Sequence, residues 1–247
     1  AVLRYPGGLP ALDVPALRDL QPALLSRLLR AAVHQAMGLD LEWAHVEALL
    51  DLVWGDEGRT AVLPGGTLAR RIRHVVLLET PPLDFGTLPP ATEVSAEGTL
   101  VWGPWELTTR LVDGNLAPDR PAPWSATLDA TVAAPTLIVR TRQAGDRFQP
   151  LGLPRPKKLQ DLWVDAHVPA LLRDHLPLLA GADGRLLWAA GLRVAEHAKV
   201  TPATRQVLQV IARPMNPSLG VVLRLCENRH YNDETLSPAR LPARDIT

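Results

Sequence analysis

The sequence predicts an α+β fold, a helical domain with a small hairpin followed by a small mixed α/β C-terminal domain. Three observations carry this. Leu24, Leu25, Leu28, Leu29, Ala32, Val33 and Ala36 recur at helical spacing, with Arg27 and Arg30 off the stripe. Trp105, Leu107, Thr109 and Leu111 alternate with Glu106, Thr108 and Arg110, the period of a half-buried strand. Between them, Pro81, Pro82, Pro89 and Pro90 punctuate a stretch with little periodicity, which reads as a boundary. The expected organisation is a helical domain at 1–80, a proline-rich linker at 81–98, the α/β domain at 99–213 and an extension at 214–247.

In chain order, Asp13 before Pro15 is a helix start, because Asp caps free N–H groups and Pro suits a first turn. The helix after Pro22 stops at Gly38. Asp40 is expected to cap the next, carrying Leu41, His45, Ala48, Leu49, Leu52 and Val53 as far as Gly55. Strands are predicted at 60–63, 67–73 and 75–79, the first two joined by a turn at Pro64-Gly65-Gly66. On the second of these, alternation places Arg71 and Arg73 on one face and Arg70 on the other. Strands follow at 100–102 and 105–112, then a polar loop at 113–123, and a strand at Leu137-Ile138-Val139 that ends in the turn Gly145-Asp146. A helix is predicted over 157–166, with Leu159, Leu162 and Trp163 buried and Lys157 paired to Asp161. A short helix at 170–175, a hairpin turn at 182–185, a strand at 186–190 and a last helix from Thr201-Pro202 complete the domain. Beyond Arg213 only 219–225 is apolar, so the end reads as an extension, disordered or joined to another domain.

Composition narrows the function classes. The 247 residues carry no formal net charge, so attraction to a polyanion has to come from local patches. Apolar runs fall short of a bilayer span, and no signal peptide is visible. One cysteine, Cys226, rules out an internal disulfide framework and suits the cytoplasm. The chain begins at Ala1 rather than Met, in keeping with a partial sequence. His167, His175 and His197 lack metal-ligand spacing, so no metal site is expected. Ser125 and Ser218 have no nucleophile context, and Asp161 with Asp165 share a helix face without a marked pocket. No catalytic residue is assigned. Gly65-Gly66 lacks the following helix that a phosphate cradle needs.

The informative segment is basic. Between residues 140 and 158 stand Arg140, Arg142, Arg147, Arg155, Lys157 and Lys158 against a single acid, Asp146. On a turn and a following element such a cluster forms an anion-binding surface, for which a nucleic-acid backbone is a natural partner. Arg173, Arg193, Lys199 and Arg205 are candidate extensions of it.

The same residues resemble a family. Arg-x-Arg-x-x-Gly-Asp-Arg-Phe-x-Pro-x-Gly from Arg140, Lys-Lys-Leu-x-Asp from Lys157 and Val-Pro-x-x-x-Arg-Asp-x-x-Pro-Leu-Leu from Val168 are similar to the C-terminal domain of bacterial tRNA(Ile)-lysidine synthase. The likeness continues through 187–193 and 199–204, and 59–66 is similar to a turn in that family's helical middle domain. The resemblance implies an ATP-dependent tRNA-modifying ligase, which joins lysine to the wobble cytidine of the isoleucine tRNA with a CAU anticodon. It further implies that this portion binds and positions the tRNA, while ATP, Mg and lysine are handled by a catalytic domain whose Ser-Gly-Gly-x-Asp-Ser loop is not found here. A homodimer is compatible with the resemblance. Two other classes stay open: a stand-alone RNA-binding or interaction module, and a small-molecule enzyme built on Asp161 and Asp165.

Overall fold

A computed structural model describes residues 2–4, 9–114, 124–132 and 136–227. The chain divides into two compact units, one of residues 1–84 with 221–247, the other of residues 85–220.

The first unit opens with β1 (Val2–Arg4), β2 (Pro10–Asp13) and the short helix α1 (Val14–Arg18). Asp13 holds the N-cap position of α1, but its side chain makes no cap hydrogen bond. Helices α2 (Pro22–Met37) and α3 (Trp43–Trp54) follow. Gly38 ends α2 at φ 70°, a conformation glycine reaches without a Cβ clash, and its N–H donates to the His34 carbonyl. The expected stripe is displaced at one end: Leu25, Leu29, Ala32 and Val33 are buried, while Leu24 is 55% exposed. Asp40 does not cap α3. Glu42 does, in a capping box with His45, and Asp40 instead meets His34 Nδ1 at 3.0 Å.

Strands β3 (Thr60–Val62), β4 (Leu68–Ile72) and β5 (Val75–Glu79) complete an antiparallel sheet of order β1-β2-β5-β4-β3. All five residues of β5 are buried, Val75–Leu78 as an unbroken apolar run and Glu79 in an ion pair with Arg70 at 2.8 Å. The core of this unit is Leu12, Leu17, Leu25, Leu29, Val46, Leu49, Val53, Val76 and Leu78, contributed by the helices and the sheet. The expected alternation over 67–73 fails at its end. Arg73 lies beyond β4 at φ 51°, so it shares no strand face with Arg71, which is buried.

The second unit contains two four-stranded antiparallel sheets and a two-stranded ribbon. Its strands begin with β6 (Thr92–Val94), β7 (Gly98–Trp102) and β8 (Trp105–Asp113), so residues expected to be linker already pair in sheets. Next come β9 (Ser125–Asp129), β10 (Leu137–Arg140), β11 (Arg147–Phe148) and β12 (Lys157–Lys158), then helices α4 (Leu159–Asp165) and α5 (Ala170–Arg173). Strands β13 (Leu178–Gly181), β14 (Leu186–Ala189) and β15 (Gln206–Pro214) close the unit. The sheet orders are β14-β13-β10-β6 and β7-β8-β15-β9, and β11 pairs with β12. Buried tryptophans find acceptors for their indole N–H: Trp105 on the His175 carbonyl at 2.6 Å, Trp163 on Ala190 at 3.2 Å.

Further along the chain the structure departs from the expected elements. Lys157 and Lys158 are strand, not helix, because they pair with Phe148 and Arg147 before α4 begins. Lys157 therefore meets Asp165 (3.4 Å) rather than Asp161. Thr201 opens no helix: Thr201 and Thr204 close a turn, and the chain enters β15. The extension begins with helix α6 (Pro217–Glu227), in which Leu219, Val221, Val222, Leu223 and Leu225 are buried. Residues 228–247, and most of the predicted loop at 113–123, lie outside the described residues.

Candidate nucleic-acid interface

The basic segment begins where β10 leaves its sheet. Arg140 grips Asp146 with both terminal nitrogens, Nη1 to Oδ2 at 2.9 Å and Nη2 to Oδ1 at 2.8 Å, and Nη1 also bonds the Thr141 carbonyl. The Gln143 N–H donates to Asp146 Oδ2 at 2.7 Å. Burial pushes the Asp146 carboxyl up, but these hydrogen bonds and the Arg140 charge outweigh it and hold the pKa below the usual carboxylate value. The Asp146 carbonyl then receives the Leu159 N–H, which joins this turn to the start of α4.

The other side of the segment is fastened to residues 193–196. Leu151 N–H donates to the Val194 carbonyl, Glu196 N–H to the Gln149 carbonyl, and Gly152 N–H to Glu196 Oε2 at 2.9 Å. Glu196 also pairs with Lys199, and its pKa is lowered by that hydrogen bond and by the Gly152 N–H.

This geometry sorts the predicted cations. Arg140 is committed to Asp146, and its side chain is only 12% exposed. Arg142 pairs with Asp174 and with Gln160 Oε1. Arg173 caps its own helix pair by two bonds to the Val168 carbonyl. Lys199 is held by Glu196, and Arg193 lies near enough to that same carboxylate to lower its pKa. Exposed and without a side-chain partner among the described residues are Arg155, Lys158 and Arg205. Arg205 lies at the start of β15, apart in sequence from the segment.

The ribbon is where charge stays uncompensated. Arg147 stands directly opposite Lys158 in the β11–β12 register. Like charges at opposed positions of an antiparallel pair repel. Arg147 spends one nitrogen on the Pro156 carbonyl at 2.9 Å, which removes no charge. Beside Lys158 an open hollow of about 230 Å³ is lined by Arg142, Gln143, Gly145, Asp146 and Gln160. An anion seated against the ribbon would relieve the repulsion. Asp161 and Asp165 are exposed on α4, and the hollow does not include them.

Among the described residues, the Gly65-Gly66 turn does not fit an ATP phosphate. Gly65 and Gly66 turn the β3–β4 hairpin, where Leu63 N–H meets the Thr67 carbonyl and Thr67 N–H the Pro64 carbonyl. Among the described residues no group of His, Cys, Asp or Glu is arranged to hold a metal ion. None of the helices there is long and apolar enough to cross a membrane.

The fold is thus that of an α+β chain of two units, the second of which carries an exposed basic ribbon. Family models match in two places, the TilS substrate binding domain over residues 12–76 and the TilS substrate C-terminal domain over residues 137–210. The chain belongs to the tRNA(Ile)-lysidine synthase family. It is 31% identical over 206 residues to the tRNA(Ile)-lysidine synthase of Dehalococcoides mccartyi, covering 78% of this chain and 42% of that protein. It is 31% identical over 214 residues to that of Geobacter sulfurreducens, covering 81% and 43%. The chain thus spans less than half the length of these relatives. A solved TilS C-terminal domain is similar at 27% identity and a TM-score of 0.44, covering 51% of this chain and 97% of that one.

Proposed function

We propose that this chain is the tRNA-holding portion of a tRNA(Ile)-lysidine synthase. It grips the isoleucine tRNA bearing a CAU anticodon in the cytoplasm, while ATP, Mg and lysine are handled by the part of the enzyme that this chain does not match. The observation that carries the reading is the cross-strand pair Arg147 and Lys158, exposed, opposed and without an acid between them. Contacts from such a ribbon to phosphates fix register and carry little base information, so discrimination among tRNAs falls to RNA shape and to the rest of the enzyme.

The test has two arms. Binding of isoleucine tRNA by the full chain is measured at low salt, and incorporation of labelled lysine is measured with and without the unmatched portion of a relative. The expected result is binding by this chain alone and lysine transfer only with the added portion. Absence of tRNA binding at low salt, or lysine transfer by this chain alone, would overturn the proposal.

A further inference from the structure

A second cationic site lies in the first unit, at the C-terminal end of α3, where Arg18, Arg59 and Arg71 converge. Arg18 Nε donates to the Val53 carbonyl at 2.8 Å, and its guanidinium carbon lies 5.5 Å from the centre of the Trp54 ring. Arg59 packs on Gly55 so closely that a Cβ there would come within 2.9 Å of its guanidinium. Arg71 is joined to the same loop through its backbone: its N–H donates to the Arg59 carbonyl and its carbonyl accepts from Gly58.

The end of a helix attracts cations because its last carbonyls are unpaired. That accounts for Arg18 and Arg59. It does not account for Arg71, which is 7% exposed, reaches the Val75 carbonyl only at 3.4 Å with Nη1, and leaves Nε with no hydrogen-bond partner. A buried donor left unmade is costly, and a buried charge more so. Burial lowers the Arg71 pKa, the neighbouring Arg18 lowers it further, and Glu57 offsets part of this. The site is therefore short of an anion. Next to it Trp54 is 55% exposed even with the Arg18 guanidinium over its ring.

An exposed aromatic ring beside an arginine whose hydrogen bond to the Val53 carbonyl uses only Nε, with a second, under-satisfied arginine behind it, matches one ligand chemistry, a base with its phosphate. Bases stack on aromatic rings whatever their identity, and the adjoining phosphate accepts from arginine. We propose that Trp54 and Arg18 form a subsite for one unpaired nucleotide of an RNA strand, with the base on the indole, the phosphate at the exposed Arg18 guanidinium, and the buried Arg71 charge reinforcing the site from behind. The proposal deepens the tRNA-binding reading, on which it rests, but places a contact on a unit that the basic ribbon does not belong to.

The experiment measures binding of the full chain to a short unstructured RNA oligonucleotide and to an RNA duplex of the same length, by fluorescence anisotropy. The variants are W54A, W54F and the double change K157E/K158E. Stacking of one base predicts a loss of about tenfold for W54A on the single strand, little change on the duplex, and near-normal binding by W54F. Melting curves for W54A and W54F check that the exposed side chain is dispensable for folding. Unchanged single-strand binding by W54A, alongside weakened binding by K157E/K158E, overturns the subsite and leaves the ribbon standing. If neither variant weakens binding, both readings fall. Displacement of the oligonucleotide by adenosine monophosphate at equal concentration would show a free-nucleotide site and overturn the RNA-strand assignment.

Discussion

The Asp146 carboxylate receives both terminal nitrogens of Arg140, six residues earlier in the chain, and so closes the turn from which the basic ribbon departs. With side chains 12% and 13% exposed, this is a partly buried, bidentate pair. Replacing one partner leaves the other charge uncompensated in a poorly solvated place. D146A is expected to destabilise the second unit by about 3 kcal/mol, read from urea unfolding. R140K keeps the charge but loses the fork, and should cost roughly half as much. A D146A protein as stable as the parent would show that the turn is held by other contacts.

The opposed cations make the reverse prediction at Lys158. K158Q removes a cross-strand repulsion, so stability should hold or rise by about 0.5 kcal/mol while RNA affinity falls. Chemical denaturation and tRNA binding on the same preparation separate the two effects. A parallel loss of both would mark Lys158 as a structural residue.

Salt dependence counts the contacts. Arg140, Arg142 and Arg173 are spent on internal acceptors. Lys157 is likewise paired with Asp165, so the segment offers Arg147, Arg155 and Lys158 to a phosphate backbone. About three contacts give a slope of log affinity against log salt between roughly −2 and −3, taking roughly −0.7 to −0.9 for each. A slope near −1 would confine the interface to one or two charges.

Acid weakens the unit from a different corner. Asp129 accepts from Thr131 and, at 2.6 Å, from Thr204 Oγ1, and these side-chain hydrogen bonds lower its pKa. A carboxyl with a folded pKa below its unfolded value stabilises fully above the unfolded value, about 4, and loses that contribution as pH falls through the folded one. Asp146 acts in the same direction. Unfolding midpoints should fall as pH drops below about 4, and D129N should show a shallower decline. Identical acid profiles for parent and D129N would remove Asp129 from that account.

Helix α6 carries a further expectation. Five of its apolar side chains are buried, and the Cys226 carbonyl accepts from Arg73 Nη1 at 3.3 Å. A chain ending at Pro214 should unfold at markedly lower urea than the full chain, because buried leucine and valine side chains contribute about 1.5–3 kcal/mol each. Equal midpoints would return this stretch to the status of a dispensable extension.

What the sequence disclosed follows the range of each signal. Periodicity over nine or more residues located α2, α3 and β8, because a stripe facing a core repeats many times. Two-residue strands have no period, so Lys157 and Lys158 were drawn into the helix that follows them. Alternating Leu208, Val210 and Ala212 stood after Thr201-Pro202, whose start-of-helix chemistry outweighed them. The basic cluster was legible as composition, but its availability was not. Asp174, Asp165 and Glu196 come from outside the segment to neutralise or border Arg142, Lys157 and Arg193. A local charge count cannot see acids delivered by the fold. The site at Trp54 and Arg71 was missed because its members are spread over fifty residues of sequence, with only an exposed tryptophan to mark them.

The position of β15 has a consequence for how the protein is made. β15 runs antiparallel to β8 over nine residues, from Gln206–Asp113 to Pro214–Trp105, and to β9 on its other edge. β8 and β9 are synthesised first and have no direct pairing with each other in the sheet order. Until residue 214 has emerged from the ribosome, each presents an open edge with its backbone donors and acceptors unpaired. Such edges pair readily with other chains. The nascent protein must wait, then, for β15 to be inserted between two earlier strands, and the span over which it is open to aggregation is set by translation of the hundred or so residues between β8 and β15.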